Sequence, residues 1–321
     1  MQILFYTNTL NYRGTSVAVT DYAHYNQEIL GNTSIIGYNG SLPYAPDVGT
    51  EPVVLKSLQN RFPVIDCGGT EYSFNKVIDQ NHIDNFYSIC AGGVDPLPNN
   101  CTTSVHAIFG IYHPHGKQYA YVSEWLSQVI NSTYNTNCPF VPHMVTMPAP
   151  TTNLRQEWNI PHFAKVFGRY GGIGSFDLDW VKETILKVLN YRQDYYFVFV
   201  NTHVWCQHPQ VIFLDAIYDL QQKSNYINSC DVMIHARSGG ESFGLAVAEF
   251  LSLNKPVIAW KGGVDQNHVV MLGGSNLLYE NAWDLEIILN NWYLIQEDPA
   301  SRVVNYHPTQ VMNKFQQVFL S

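Results

Sequence analysis

The run from Asp231 to Trp260 constrains this chain more than any other part of it. Asp231-Val232-Met233-Ile234-His235 and Lys255-Pro256-Val257-Ile258-Ala259-Trp260 are short apolar segments that read as buried strands. Between them lies Gly239-Gly240-Glu241-Ser242-Phe243-Gly244-Leu245-Ala246-Val247-Ala248-Glu249, a glycine-rich loop that enters a helix. A helix joining two buried strands belongs to a parallel α/β sheet. The loop has a chemical consequence as well. Free backbone N–H groups and the helix dipole at a helix N-terminus attract an anion, above all phosphate. Glu241 and Glu249 flank that turn, and carboxylates there can grip the hydroxyls of a polyol. Together they point to a sugar-nucleotide site.

The same alternation runs through the chain. Strands are predicted at 3–6, 34–37, 64–66, 87–90, 105–112 and 119–122. Ser16 is placed to cap a helix reaching about residue 30, and Ser123 one reaching about residue 130. A Pro- and Thr-rich stretch at 146–153 is the best linker. A second series follows, with strands at 164–169, 195–200 and 211–214 and helices at 178–191, 221–229, 283–296 and 308–320. With 46% hydrophobic and 14% aromatic residues, the chain can bury a large core. Three domain spans are expected: 1–150, 151–304 and a closing helix at 305–321.

Several function classes are disfavoured. A net charge of −9 argues against a general nucleic-acid binder, which needs a basic face. Residues 1–150 hold five Lys or Arg (Arg13, Lys56, Arg61, Lys76 and Lys117), so a phosphate would be held by amides and a few local cations. The turn after the first strand, Thr7-Asn8-Thr9-Leu10-Asn11-Tyr12-Arg13-Gly14, has one glycine rather than Gly-x-Gly-x-x-Gly, and no Walker motif occurs, so hydride transfer and ATP hydrolysis are disfavoured. No run is long and apolar enough to span a membrane, and the N-terminus reads as a strand rather than a signal peptide. The six cysteines form no Cys-x-x-Cys pair and suit reduced core positions. A soluble, cytoplasmic protein is expected.

Residues 228–260 resemble retaining glycosyltransferases of the GT-B fold, in particular glycosyltransferase family 4. Glu241, Phe243, Gly244, Leu245, Glu249, Pro256, Val257 and Ile258 match the family's Glu-x(7)-Glu and Pro-Val-Ile pattern in order. Phe167-Gly168-Arg169, Val122-Ser123-Glu124 and Gly14 match it elsewhere. The resemblance implies an α/β GT-B fold, two Rossmann-like domains with parallel sheets facing across a deep cleft. It also implies that the last helix, with its stripe Val311, Phe315, Val318 and Phe319, packs back on the first domain. A homodimer contact is the other use of that stripe.

By the same resemblance Glu249 would hold the ribose hydroxyls and Glu241 the hydroxyls of the transferred hexose. Ser242, Phe243, Gly244 and Leu245 would meet the diphosphate, and Arg169 would neutralise the leaving group. The family carries a Lys shortly after this Arg, where the chain has Gly171-Gly172-Ile173-Gly174; Arg13, beside Gly14, or Lys261 could stand in. His115 is preferred to His113 as the histidine near the sugar, on the ground that both follow a long buried strand and Gly116 allows close approach. A base is expected near residues 211–216, with Trp205, Tyr218 and Tyr226 as rings to consider. His113-x-His115 and His203-x-x-Cys206-x-His208 have ligand-like spacing without a further nearby Cys or acid in frame, so no metal is expected.

The expected activity is retaining, metal-independent hexosyl transfer from a nucleoside-diphosphate sugar to a hydroxyl of a glycan or glycoprotein, with no cofactor. Mannosyl transfer is frequent in the family, which places GDP-mannose ahead of UDP-glucose. Two alternatives are a nucleotide-sugar epimerase of the same fold and a non-catalytic nucleotide-sugar or glycan-binding protein.

Overall fold

The computed structural model describes residues 1–45, 49–296 and 298–321, which form two compact units. The first comprises Met1–Met144 and Tyr306–Ser321, the second Val145–Asn305.

In the first unit the order is β1 (Gln2–Tyr6), α1 (Gly14–Glu28), β2 (Thr33–Tyr38), α2 (Pro52–Gln59), β3 (Val64–Asp66), α3 (Glu71–Asn81), β4 (Asn85–Cys90), β5 (Thr102–Ala107), β6 (Gln118–Tyr121) and α4 (Glu124–Tyr134). The six strands pair in parallel in the order β3-β2-β1-β4-β5-β6, the doubly wound arrangement of a Rossmann-like sheet. A parallel sheet is covered on both faces, which is why β1 and β4 are buried along nearly their whole length.

The second unit runs β7 (Lys165–Arg169), α5 (Asp179–Leu189), β8 (Tyr195–Val200), β9 (Val211–Leu214), α6 (Leu220–Ser229), β10 (Val232–His235), β11 (Gly240–Glu241), α7 (Leu245–Ser252), β12 (Val257–Trp260), β13 (Asp265–Gln266), α8 (Asn267–Leu272), β14 (Leu278–Tyr279) and α9 (Ala282–Asn291). Its main sheet is β14-β12-β10-β7-β8-β9. Renumbered from its own first strand, this is the same winding as in the first unit. The winding reverses between β7 and β10, and in such sheets ligands bind beyond the strand ends at that point. Phe167 and Phe197 stack at 4.5 Å in the core beneath it.

The final helix, α10 (Pro308–Phe319), belongs to the first unit. Val311, Phe315 and Phe319 are buried, and the Phe315 ring lies 5.1 Å from Tyr22 and 5.2 Å from Tyr87. Burying each phenylalanine contributes about 1.5–3 kcal/mol. Asn85 Nδ2 and Ser104 Oγ donate to the Phe319 carbonyl at 3.2 and 3.0 Å, which satisfies an orphan carbonyl at the helix end.

Two local expectations need correction. Ser16 does not cap α1, which begins at Gly14 behind Arg13. Its Oγ instead accepts the Asn11 N–H at 2.9 Å and donates to the Thr9 carbonyl at 3.1 Å, folding the preceding loop on itself. The strand expected at 105–112 ends at Ala107. Its neighbour β4 stops at Cys90, so residues beyond Ala107 lack a ladder on that side. They form a loop that exposes Phe109 and Ile111. His113 and His115 therefore lie within a loop and not at the end of a strand. Helices α2 and α3 were not anticipated.

All six cysteines are free thiols, four of them buried. Among the described residues no helix is long and apolar enough to cross a membrane.

Candidate functional site

The helix α7 starts at a left-handed glycine. Gly244 takes φ +94° as N-cap, a conformation other residues rarely adopt. Among the described residues no side chain caps this terminus, and the first turn holds no acid. Asn267 Nδ2 donates to the Phe243 carbonyl at 2.7 Å and fixes the turn from below. Phe243 and Gly244 are buried at the centre of the turn, whereas Ser242, Leu245 and Ala246 on its flanks are only half-buried.

Glu241 stands just before this turn on β11, which pairs with β13. Gly240 makes the pairing possible: a Cβ there would lie 1.9 Å from the Asp265 carbonyl oxygen. The Glu241 carboxylate is held at both ends. Oε1 accepts from His235 Nε2 at 3.3 Å and Oε2 from Arg237 Nη1 at 2.9 Å. Burial alone would raise its pKa, but the His235 hydrogen bond and the nearby Arg237 guanidinium outweigh it and hold the carboxyl below its ordinary value. It is a carboxylate at neutral pH, about one-fifth exposed, beside the N-terminus of α7. His268 packs on His235 at 4.6 Å and donates Nε2–H to the Trp260 carbonyl at 2.9 Å. Burial, then His235, pushes its pKa down to about 4, so this ring is neutral at physiological pH.

Glu249 lies deeper on α7. Its carboxylate meets Lys223 Nζ from α6 at 3.2 and 3.4 Å, and both side chains are at most one-tenth exposed. Lys223 also sits 5.2 Å above the Tyr170 ring. Two buried opposite charges of this kind are stable only as a pair.

Arg169 ends β7 at the winding reversal and is almost fully buried. Its guanidinium donates to the Asn201 and Gly172 carbonyls at 3.1 and 2.9 Å and to the Thr202 and Ser175 hydroxyls at 2.5 and 2.6 Å. Burial pushes its pKa down to about 10, against the opposing influence of the Tyr226 hydroxyl and the Glu241 carboxylate. Arg169 thus clamps the loops after β7 and β8, and it feels the Glu241 charge without touching it.

Glu241, Ser242, Phe243, Gly244, Leu245, Glu249 and Arg169 all belong to the second unit; Arg13, Gly14 and His115 belong to the first. Arg13 is the N-cap of α1. Lys261 pairs with Glu280 at 2.6 Å on the surface. Tyr226 is a core residue whose hydroxyl joins Val198 O and Arg169 N, and Trp205 packs against Phe199. His203, Cys206 and His208 do not converge as ligands among the described residues, whereas His115 meets Cys90 and Asp95. Sequence spacing hid that group, because Cys90 lies 25 residues away from His115 along the chain.

Three further residues were missed: His235, Arg237 and Lys223. A signal existed for the first two. Both flank the exit of the Met233 strand, where ligands gather in such sheets. Lys223 gave none, since nothing in the sequence links it to Glu249 26 positions later.

No protein-family profile matches the sequence, and no curated protein matches it. Solved structures do match in fold. A glycosyltransferase from Rickettsia africae superposes with a TM-score of 0.65 at 14% identity, covering 98% of this chain and 94% of that one. The Anabaena protein HepE, solved in complex with UDP-glucose, gives 0.63 at 14% identity over 99% and 95%. A Listeria monocytogenes protein assigned as a UDP-N-acetylglucosamine 2-epimerase gives 0.64 at 9% identity over 98% and 94%. The chain has the GT-B fold, with two Rossmann-like units. At these identities the likeness establishes the fold alone.

Proposed function

We propose that this protein is a glycosyltransferase that moves a hexose from a nucleoside-diphosphate sugar to an acceptor hydroxyl with retention at the anomeric carbon. One observation carries the reading: a helix N-terminus behind Gly244 that no side chain caps among the described residues, with half-buried Ser242 and Leu245 on either side and a Glu241 carboxylate and an Arg237 guanidinium fixed beside it. A diphosphate binds at the N-terminus of α7, where the helix dipole stabilises its charge. Arg237 is the cation at that diphosphate, in the place of the family's missing Lys. Arg169 holds the loop at Gly172 and adds its charge from behind. Glu241 accepts hydrogen bonds from hexose hydroxyls, and Glu249, presented by Lys223, from the ribose.

During transfer the bond from the anomeric carbon to the phosphate oxygen breaks. The bond to the acceptor oxygen forms on the same face, and the acceptor proton passes to the departing phosphate. Charge that develops on the leaving group falls where fixed dipoles and Arg237 already point, which lowers the barrier without a metal ion there. The HepE complex with UDP-glucose supports a nucleotide hexose as the donor class. UDP-glucose and GDP-mannose are the two donors to compare, and a soluble glycan or glycoprotein is the proposed acceptor.

NMR of the pure protein with each donor tests the reading. Release of nucleoside diphosphate, lost in Glu241→Gln, and a product of unchanged anomeric configuration are expected. Inversion would overturn the retaining mechanism. Interconversion of the donor sugar without acceptor would favour an epimerase, and binding without turnover a non-catalytic protein.

A further inference from the structure

We propose that Cys90, Asp95 and His115 form a site for one divalent transition-metal ion of the zinc type, wholly within the first unit. Cys90 is the last residue of β4 and is buried. Asp95 follows on the connection to β5, and His115 comes from the loop between β5 and β6. One ligand atom from each residue lies within 4.8 Å of the other two.

The histidine is already oriented for this task. Its Nδ1 is 2.7 Å from the His113 carbonyl oxygen, which only accepts, so the ring proton sits on Nδ1. That leaves the lone pair on Nε2, the atom that takes the Asp95 N–H at 3.4 Å. A backbone carbonyl that fixes the tautomer is the usual support of a metal-binding imidazole. The two connections are also tied to each other. Tyr119 Oη shares its one hydrogen between the carbonyls of Gly92 and Ile111 at 3.1 and 3.2 Å, and Tyr121 Oη donates to Ile111 at 2.8 Å.

The donor set selects the ion. A thiolate, an imidazole and one carboxylate suit a borderline cation such as Zn2+, whereas Mg2+ and Ca2+ want several oxygens. The two anionic ligands balance the +2 charge. Zinc bonds of about 2.0–2.3 Å in a tetrahedron place ligand atoms roughly 3.3–3.8 Å apart. The three side chains therefore close by about 1 Å on binding, which small rotations of the half-exposed Asp95 and His115 supply. Water completes the fourth position. A bound ion also takes His115 Nε2, so this ring serves the metal and not the sugar.

The test uses the full chain, stripped with a chelator and titrated with Zn2+ against a chromophoric competitor, and separately with Co2+. One equivalent of tight binding is expected, with a thiolate-to-cobalt charge-transfer band in the near ultraviolet. Cys90→Ser removes the band, and Asp95→Asn and His115→Gln each weaken binding by at least about tenfold. Cys206→Ser changes neither measurement. Circular dichroism checks folding; should Cys90→Ser unfold, the Asp95→Asn and His115→Gln titrations decide. Absence of stoichiometric binding, a band that survives Cys90→Ser, or unchanged affinity in both loop variants overturns the proposal. Each readout is independent of sugar transfer, so the metal site stands or falls apart from the proposed activity.

Discussion

Lys223 and Glu249 offer a way to separate stability from donor binding. Their charged atoms are 3.2 Å apart, and the side chains are 10% and 6% exposed. Removing one partner leaves the other charged in a poorly solvated place, which costs about 3–5 kcal/mol. The second unit holds roughly 160 residues. In a unit of that size each kcal/mol lowers Tm by about 2–4 °C, so Lys223→Met or Glu249→Leu alone should lower it by roughly 6–20 °C. The double variant replaces the pair with apolar side chains and should recover most of that loss. Donor binding should not recover, because the ribose hydroxyls still lack their charged acceptor; a loss of about tenfold to a hundredfold in affinity is expected. Differential scanning calorimetry and titration calorimetry on all four proteins measure both quantities. Single variants that cost less than about 1 kcal/mol, the range of exposed pairs, would refute the energetic argument. So would losses that simply add in the double variant. A stable double variant that binds donor normally would remove Glu249 from the ribose.

Arg237→Ala should slow transfer by roughly 10²–10³-fold, the scale for losing one preorganised transition-state donor, with Tm within a few degrees of the parent; Arg169→Ala should instead unfold the protein at lower temperature. A normal rate in Arg237→Ala would hand the diphosphate to another cation. Acid should weaken the fold between about pH 6.5 and 4. His106 and His268 are buried neutral rings whose pKa values burial pushes down to about 4, so the unfolded chain takes up protons in that window before the folded one does. In the neutral ring Nδ1 accepts the Tyr87 hydroxyl at 2.6 Å and Nε2–H donates to the Val141 carbonyl at 2.9 Å, so both nitrogens are satisfied without a buried charge. Each ring contributes on the order of 3 kcal/mol that is present above pH 6.5 and lost on acidification. Urea titrations at pH 7 and 4.5 check this, and equal midpoints would show that these rings protonate freely in the folded state.

Much of the fold was legible because buried parallel strands are written as unbroken apolar runs. Residues 195–200 and 211–214, both unbroken apolar runs, are recovered to the residue; so is 64–66, an edge strand that ends on the exposed Asp66. Ser123 is recovered as a cap because its signal is local: the Oγ accepts the Leu126 N–H three residues on, at 3.2 Å. Ser16 carries the same local signal but bonds backward to Asn11, and Phe109 and Ile111 look like strand yet have no neighbouring ladder. At Ser16 a competing local bond outweighed the cap, and after Ala107 the strand had no ladder to extend.

The sequence by itself determined that a glycine-hinged turn feeds an apolar helix between two buried strands, and that acids flank the turn. Spacing along a backbone of fixed geometry is enough for that. Only the tertiary structure decided what each acid touches: Lys223 for Glu249, and Arg237 with His235 for Glu241. It alone brought Cys90 and Asp95 to His115. Charge pairing and metal ligation act over a few ångströms in space, and the winding of the sheets, not the order of residues, sets which groups come that close.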